Sequence, residues 1–114
     1  MEEKREFKRF KKEVKIHFDV LTAMGISNNI PQTGDTVSID ISKGGVLFVS
    51  RQPIPISSSI ECAFHLPGIE QPVYAKARVV RIEEISQYHQ YDIGIHFIAI
   101  SSDDEKLLGR FLQD

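Results

Sequence analysis

Two short stretches hold the residues whose types and spacing could do chemistry: Arg5-Glu6-Phe7-Lys8-Arg9 near the start and Asp40-Ile41-Ser42-Lys43-Gly44-Gly45 in the middle. The first sets two guanidinium forks four positions apart on a basic arm. The second follows a strand-like run with a carboxylate, a hydroxyl and a glycine turn. Arginine pairs bidentately with phosphate oxygens or with the O6/N7 edge of guanine. A carboxylate accepts from the ring N–H and amino group of guanine, and glycine lets a ligand approach the main chain. The set suits a ligand that carries both phosphate and guanine.

In this order the two stretches resemble the PilZ domain, a bacterial receptor module for cyclic di-GMP. The family pattern is R-x-x-x-R followed, after a gap, by D/N-x-S/A-x-x-G. Arg5 and Arg9 fill the first half, and Asp40, Ser42 and Gly45 fill the second. Thirty residues separate Arg9 from Asp40, at the long end of the family range. The flanks Ala77-Arg78-Val79-Val80-Arg81 and Asp92-Ile93-Gly94-Ile95-His96-Phe97 also look like the family, so the resemblance covers nearly the whole chain. Each half-motif alone is weak; the ordered pair is fairly specific. The resemblance implies that Arg5, Arg9, Asp40, Ser42 and Gly45 bind cyclic di-GMP, with Lys4 and Lys8 as auxiliary cations. A Lys just before the first Arg permits a stacked pair of ligands.

Each residue also has a plainer explanation. Two arginines on an arm can be solvated surface. Asp and Ser cap backbone groups in many tight turns, and Gly45 could serve a turn that needs positive φ. Gly44 is read as turn geometry alone. Phe7 and Phe10 are read as pins that hold the arm to the body, while Tyr88 and Tyr91 are candidates for base stacking.

The 114 residues are expected to form one domain with a modest core. A single Cys62 excludes an internal disulfide framework and fits a reducing compartment. The charged N-terminus lacks a signal-peptide core and no apolar run is long enough for a membrane helix, so a cytoplasmic protein without membrane insertion is expected. Residues 1–15 carry seven Lys/Arg against four Glu, net +3, and residues 16–114 carry seven against twelve Asp/Glu, net −5. A basic arm on an acidic body can attract a small anion; the acidic body argues against a broad nucleic-acid surface. His17, His65, His89 and His96 lack zinc-motif spacing, so no metal and no cofactor is expected. Ser42 has no G-x-S-x-G elbow, so an enzyme is not expected.

Alternation of apolar residues must supply the scaffold. Val14, Ile16, Phe18 and Val20 predict one strand. Residues 22–35 read as a loop. Val37, Ile39 and Ile41 predict a second strand, with Asp40 on the opposite face. Val46–Ser50, Ile60–Leu66, Val73–Ile82 and Tyr91–Phe97 complete six, with Phe97 in the core. Residues 101–112 predict a helix, capped by Ser102 with Glu105 closing a capping box and Leu107, Leu108, Phe111 and Leu112 on one face. The expected fold is all-β: a six-stranded antiparallel barrel over 13–100, preceded by an arm over 1–12 and followed by a C-terminal helix.

The function this implies is a cyclic di-GMP receptor that is not an enzyme. Its ligand draws the arm across the face bearing Asp40 and Ser42. With no output domain attached, the signal passes to an unidentified effector protein. The alternatives are a PilZ-like adaptor that binds only protein, and a small-barrel binder of single-stranded nucleic acid.

Overall fold

A computed structural model describes residues 7–21, 33–85 and 89–113. Six strands precede one helix: β1 (Lys15–Leu21), β2 (Thr33–Ile41), β3 (Gly45–Ser50), β4 (Ser59–His65), β5 (Val73–Ile85), β6 (Gln90–Ile100) and α1 (Ser102–Leu112). They close into a barrel in the order β1-β2-β3-β6-β5-β4, with every pairing antiparallel. Closure leaves no unpaired edge.

Strict alternation explains why these segments face inward as they do. β1 buries Ile16, Phe18 and Val20, β4 buries Ile60, Cys62 and Phe64, and β5 buries Val73, Ala75, Ala77 and Val79. Phe18 and Phe48 meet in the core with ring centroids 5.3 Å apart. Burial, and then the charges of Asp19 and Glu61, push the Cys62 thiol up to about 12, so it packs as a small apolar group.

β2 departs from the expected pattern. Val37 is 40% exposed, whereas Ser38 is buried. A bulge between Ser38 and Asp40 then restores Ile41 to the core. Ser38 is tolerated inside because its hydroxyl accepts from Val14 N at 2.9 Å and donates to Lys12 O. β2 also starts at Thr33, inside the segment expected to be loop; residues 22–32 lie outside the described residues.

The far end differs in two details. Phe97 is half-buried rather than core, packing edge-on to Phe64 at 5.6 Å. The N-cap of α1 is Ser101, not Ser102: its side chain accepts from Asp104 N, and Glu105 N donates to Ser101 O. Asp104 closes no capping box; its carboxylate accepts from Tyr74 N on β5 at 3.1 Å. That bond, with Leu108 and Leu112 buried, docks the helix on its own barrel. Among the described residues no helix is long and apolar enough to cross a membrane, and no group of three or more His, Cys, Asp or Glu could hold a metal ion.

Candidate functional site

The arm reaches the barrel beside the Asp40 turn. Phe10 forms a two-way backbone bridge with Ile41, Phe10 N to Ile41 O at 2.8 Å and Ile41 N to Phe10 O at 2.9 Å. Its ring packs against the core, so Phe10 pins the arm as expected. One residue before that bridge, Arg9 Nη1 donates to Asp40 Oδ1 at 3.3 Å. The Asp40 side chain is 14% exposed and that of Arg9 50%. The carboxylate is thus set in the wall and the guanidinium extends over it.

Ser42 builds the turn between β2 and β3. Its Oγ accepts from Gly44 N at 3.0 Å and Gly45 N at 3.2 Å, while Ser42 N donates to Gly45 O at 2.9 Å. These bonds are turn chemistry, and they aim two backbone N–H groups at the hydroxyl. The glycines have separate reasons, and positive φ is neither of them: among the described residues Gly68 is the glycine with that geometry. A Cβ on Gly45 would sit 2.1 Å from Ile95 O on β6, so only glycine lets β3 and β6 pair there. A Cβ on Gly44 would sit 2.8 Å from Phe7 Cδ2, so Gly44 seats the Phe7 ring rather than merely shaping the turn.

These groups border a cleft of about 460 Å³, within the usual range for small-molecule sites. Phe7 and Arg9 line it from the arm, Ser42, Gly44 and Gly45 from the turn, and Leu47, Arg81, Gly94 and His96 from the sheet. The floor follows one cross-strand row: Asp40 pairs with Leu47, Leu47 with Gly94, and Gly94 with Arg81. Residues directly opposite in a ladder share a face. Both ends of the row follow a register shift, Ser38/Asp40 on β2 and Val79/Arg81 on β5. Bulges re-aim side chains in this way beside functional sites.

Of the residues singled out from the sequence, Arg9, Ser42 and Gly45 line the cleft, and Asp40 holds Arg9 at its edge. Arg5 and Lys4 lie outside the described residues, as does Tyr88. Lys8 is drawn aside, its Nζ 5.4 Å from the Phe10 ring centroid. Tyr91 is half-buried against the core and stands away from the cleft. Arg81, Gly94 and Leu47 were not candidates from sequence. Arg81 and Gly94 fall in the two flanks that look like the family, and the local signal for Arg81 was the break in alternation at Val79-Val80-Arg81.

The family model for the PilZ domain matches residues 3–114. No curated protein matches the chain significantly. Among solved structures it is similar to the Bacillus subtilis inhibitor of motility MotI/DgrA, 18% identical, with a TM-score of 0.75 over 96% of this chain and 49% of that one. The chain thus spans about half the length of that protein. It is similar to the PilZ domain of YcgR from Escherichia coli, solved with c-di-GMP: 14% identical, TM-score 0.67, covering 95% of this chain and 88% of that one. It also resembles the PilZ domain of CeSA from a cellulose-synthesizing bacterium, 16% identical, TM-score 0.62, covering 92% and 94%. At these identities the likeness is one of fold.

Proposed function

The chain belongs to the PilZ domain family, whose domains are non-enzymatic binding modules and include c-di-GMP receptors, and from that premise we propose that it binds cyclic di-GMP in the cleft between arm and turn. The observation that carries the reading is the Arg9–Asp40 contact. It joins halves of the motif 31 positions apart at the edge of one cleft. The c-di-GMP held by the PilZ domain of YcgR supports the same ligand class.

Physical chemistry supports each role. Arg9, with Arg5, supplies forks for phosphate or for the O6/N7 edge of guanine. Asp40 accepts from the guanine ring N–H and amino group. Ser42 and Gly45 present the turn backbone closely to the ligand. With its guanidinium half in water, Arg9 gains only a screened attraction from Asp40. Exchanging Asp40 for a doubly anionic ligand therefore costs Arg9 little. The ligand then fixes the residues before Phe10 over the turn, where Phe7 already rests on Gly44, and the arm so held presents a new face to an effector protein.

Calorimetric titration with cyclic di-GMP, with GTP and single-stranded RNA as controls, tests this. Saturable binding of cyclic di-GMP alone is the expected result. No binding of any of the three favours an adaptor that binds only protein, and preferential RNA binding favours the nucleic-acid alternative.

A further inference from the structure

The cleft contains an arginine that the two motif halves do not include. Arg81 ends the cross-strand row that begins at Asp40, separated from it by Leu47 and Gly94. Three inter-strand steps of about 4.8 Å put the two ends about 14 Å apart. Arg81 therefore serves a part of the cleft that Arg9, beside Asp40, does not.

Its placement is built by two features. The register shift after Val79 turns both Val80 and Arg81 outward, where regular alternation would have buried Arg81. Gly94 then leaves room for its stem: a Cβ there would lie 3.2 Å from Arg81 Cβ, with Cδ at 3.8 Å and Cγ at 3.9 Å. The aliphatic chain thus lies along a bare stretch of β6 and carries the guanidinium into the cleft. Its ion pair is with Glu83 Oε1 at 3.2 Å, and both side chains are 57% exposed. Such a pair is readily exchanged for a ligand.

We propose that Arg81 is a third arginine of the ligand site and reads a guanine by its O6/N7 edge, an assignment that rests on the cyclic di-GMP reading of the cleft. The planar fork matches two acceptors on guanine. Adenine offers a donor in place of O6, so the contact discriminates between the two purines.

The test is titration of the full chain and of Arg81→Ala, Arg81→Lys and Gly94→Ala with cyclic di-GMP and cyclic di-AMP, each variant first matched to the parent by thermal melting. Arg81→Ala is expected to weaken cyclic di-GMP by about five- to a hundredfold and to narrow its margin over cyclic di-AMP. Arg81→Lys should not restore the margin. Gly94→Ala should narrow it with Arg81 intact, because the added methyl lifts the stem. If the parent binds cyclic di-GMP and Arg81→Ala keeps both affinity and margin, the assignment is wrong while the reading of the cleft stands. If the parent binds neither dinucleotide, both fall together.

Discussion

Arg9 and Asp40 meet across 31 positions of sequence, with the carboxylate nearly buried and the guanidinium half in water. The asymmetry separates their duties. Asp40 is fixed by β2 and its bulge; Arg9 sits on an arm that is bonded to the sheet by the Phe10–Ile41 bridge on one side and rests against the turn through the Phe7 ring, seated on Gly44, on the other. A ligand can recruit Arg9 without disturbing the sheet, whereas engaging Asp40 reports directly on the barrel wall.

Removing the clamps should therefore affect binding far more than folding. Arg9→Ala and Arg5→Ala are each expected to cost about 1.5–3 kcal/mol of cyclic di-GMP affinity, the range for hydrogen bonds to charged groups. Arg→Lys should rescue little, since a point charge cannot reproduce the fork. Without ligand, Arg9→Ala should melt within a degree or two of the parent, because the Asp40 contact is half solvated. Titration and melting curves on the same preparations check both halves.

Gly45→Ala should behave in the opposite way. Its methyl would press on Ile95 O at 2.1 Å, a backbone atom that cannot step aside without parting β3 from β6. The variant is expected to lose about 1–3 kcal/mol or more of stability in urea before any ligand is added. Parent-like stability would mean that Gly45 is kept for the ligand and not for the strand pairing.

Ser38 ties the start of the barrel to β2 through Val14 N and Lys12 O. Ser38→Ala leaves the buried Val14 N–H without its acceptor, a loss of about 1–3 kcal/mol. Hydrogen exchange should quicken at Val14 first. Unchanged urea stability would show that the hydroxyl is dispensable.

β1, β4 and β5 were legible because each buries one face and keeps period two for three or four residues. β2 was not. Val37 and Ile39 looked like core, but the bulge gave that role to Ser38, whose polar side chain hides the inward position from any reading by hydropathy. The same kind of shift concealed Arg81: its address in the cleft depends on an extra residue in β5, signalled only by the break in alternation at Val79-Val80-Arg81, and on the missing side chain at Gly94 across the ladder. Arg9, Asp40 and Ser42 were found because family resemblance marks them. Yet the hydrogen bonds of Ser42 are those of a turn, which composition alone had already allowed. α1 was placed to within one residue: Ser101 and Ser102 are chemically equal as caps, and in the fold Ser101 takes the role by accepting from Asp104 N.

His17 gives a pH-dependent check on the barrel surface. Its Nδ1 lies 2.8 Å from Asp35 Oδ1, and this hydrogen bond, aided by the Asp35 and Asp19 charges against some desolvation, raises its pKa above 6.5. A raised folded value favours the protonated fold. The contribution is therefore fully present below about pH 6.5 and is lost as pH rises through the higher folded value. The melting-temperature advantage of the parent over His17→Gln should be larger at pH 6 than at pH 9. A constant difference would mean that the pair contributes nothing through charge.

The most direct measurement of the arm-closing account is amide hydrogen exchange with and without saturating cyclic di-GMP. Residues 4–9 precede the Phe10–Ile41 bridge, and Arg5 and Arg9 are the groups the ligand should engage. Exchange there is predicted to slow markedly on binding, with a smaller change at residues 40–46 and little in α1. The amides of Phe10 and Ile41, already bonded to each other's carbonyls, should be slow in both states. Residues 4–9 equally protected before and after saturation would contradict arm closure, even if the ligand binds.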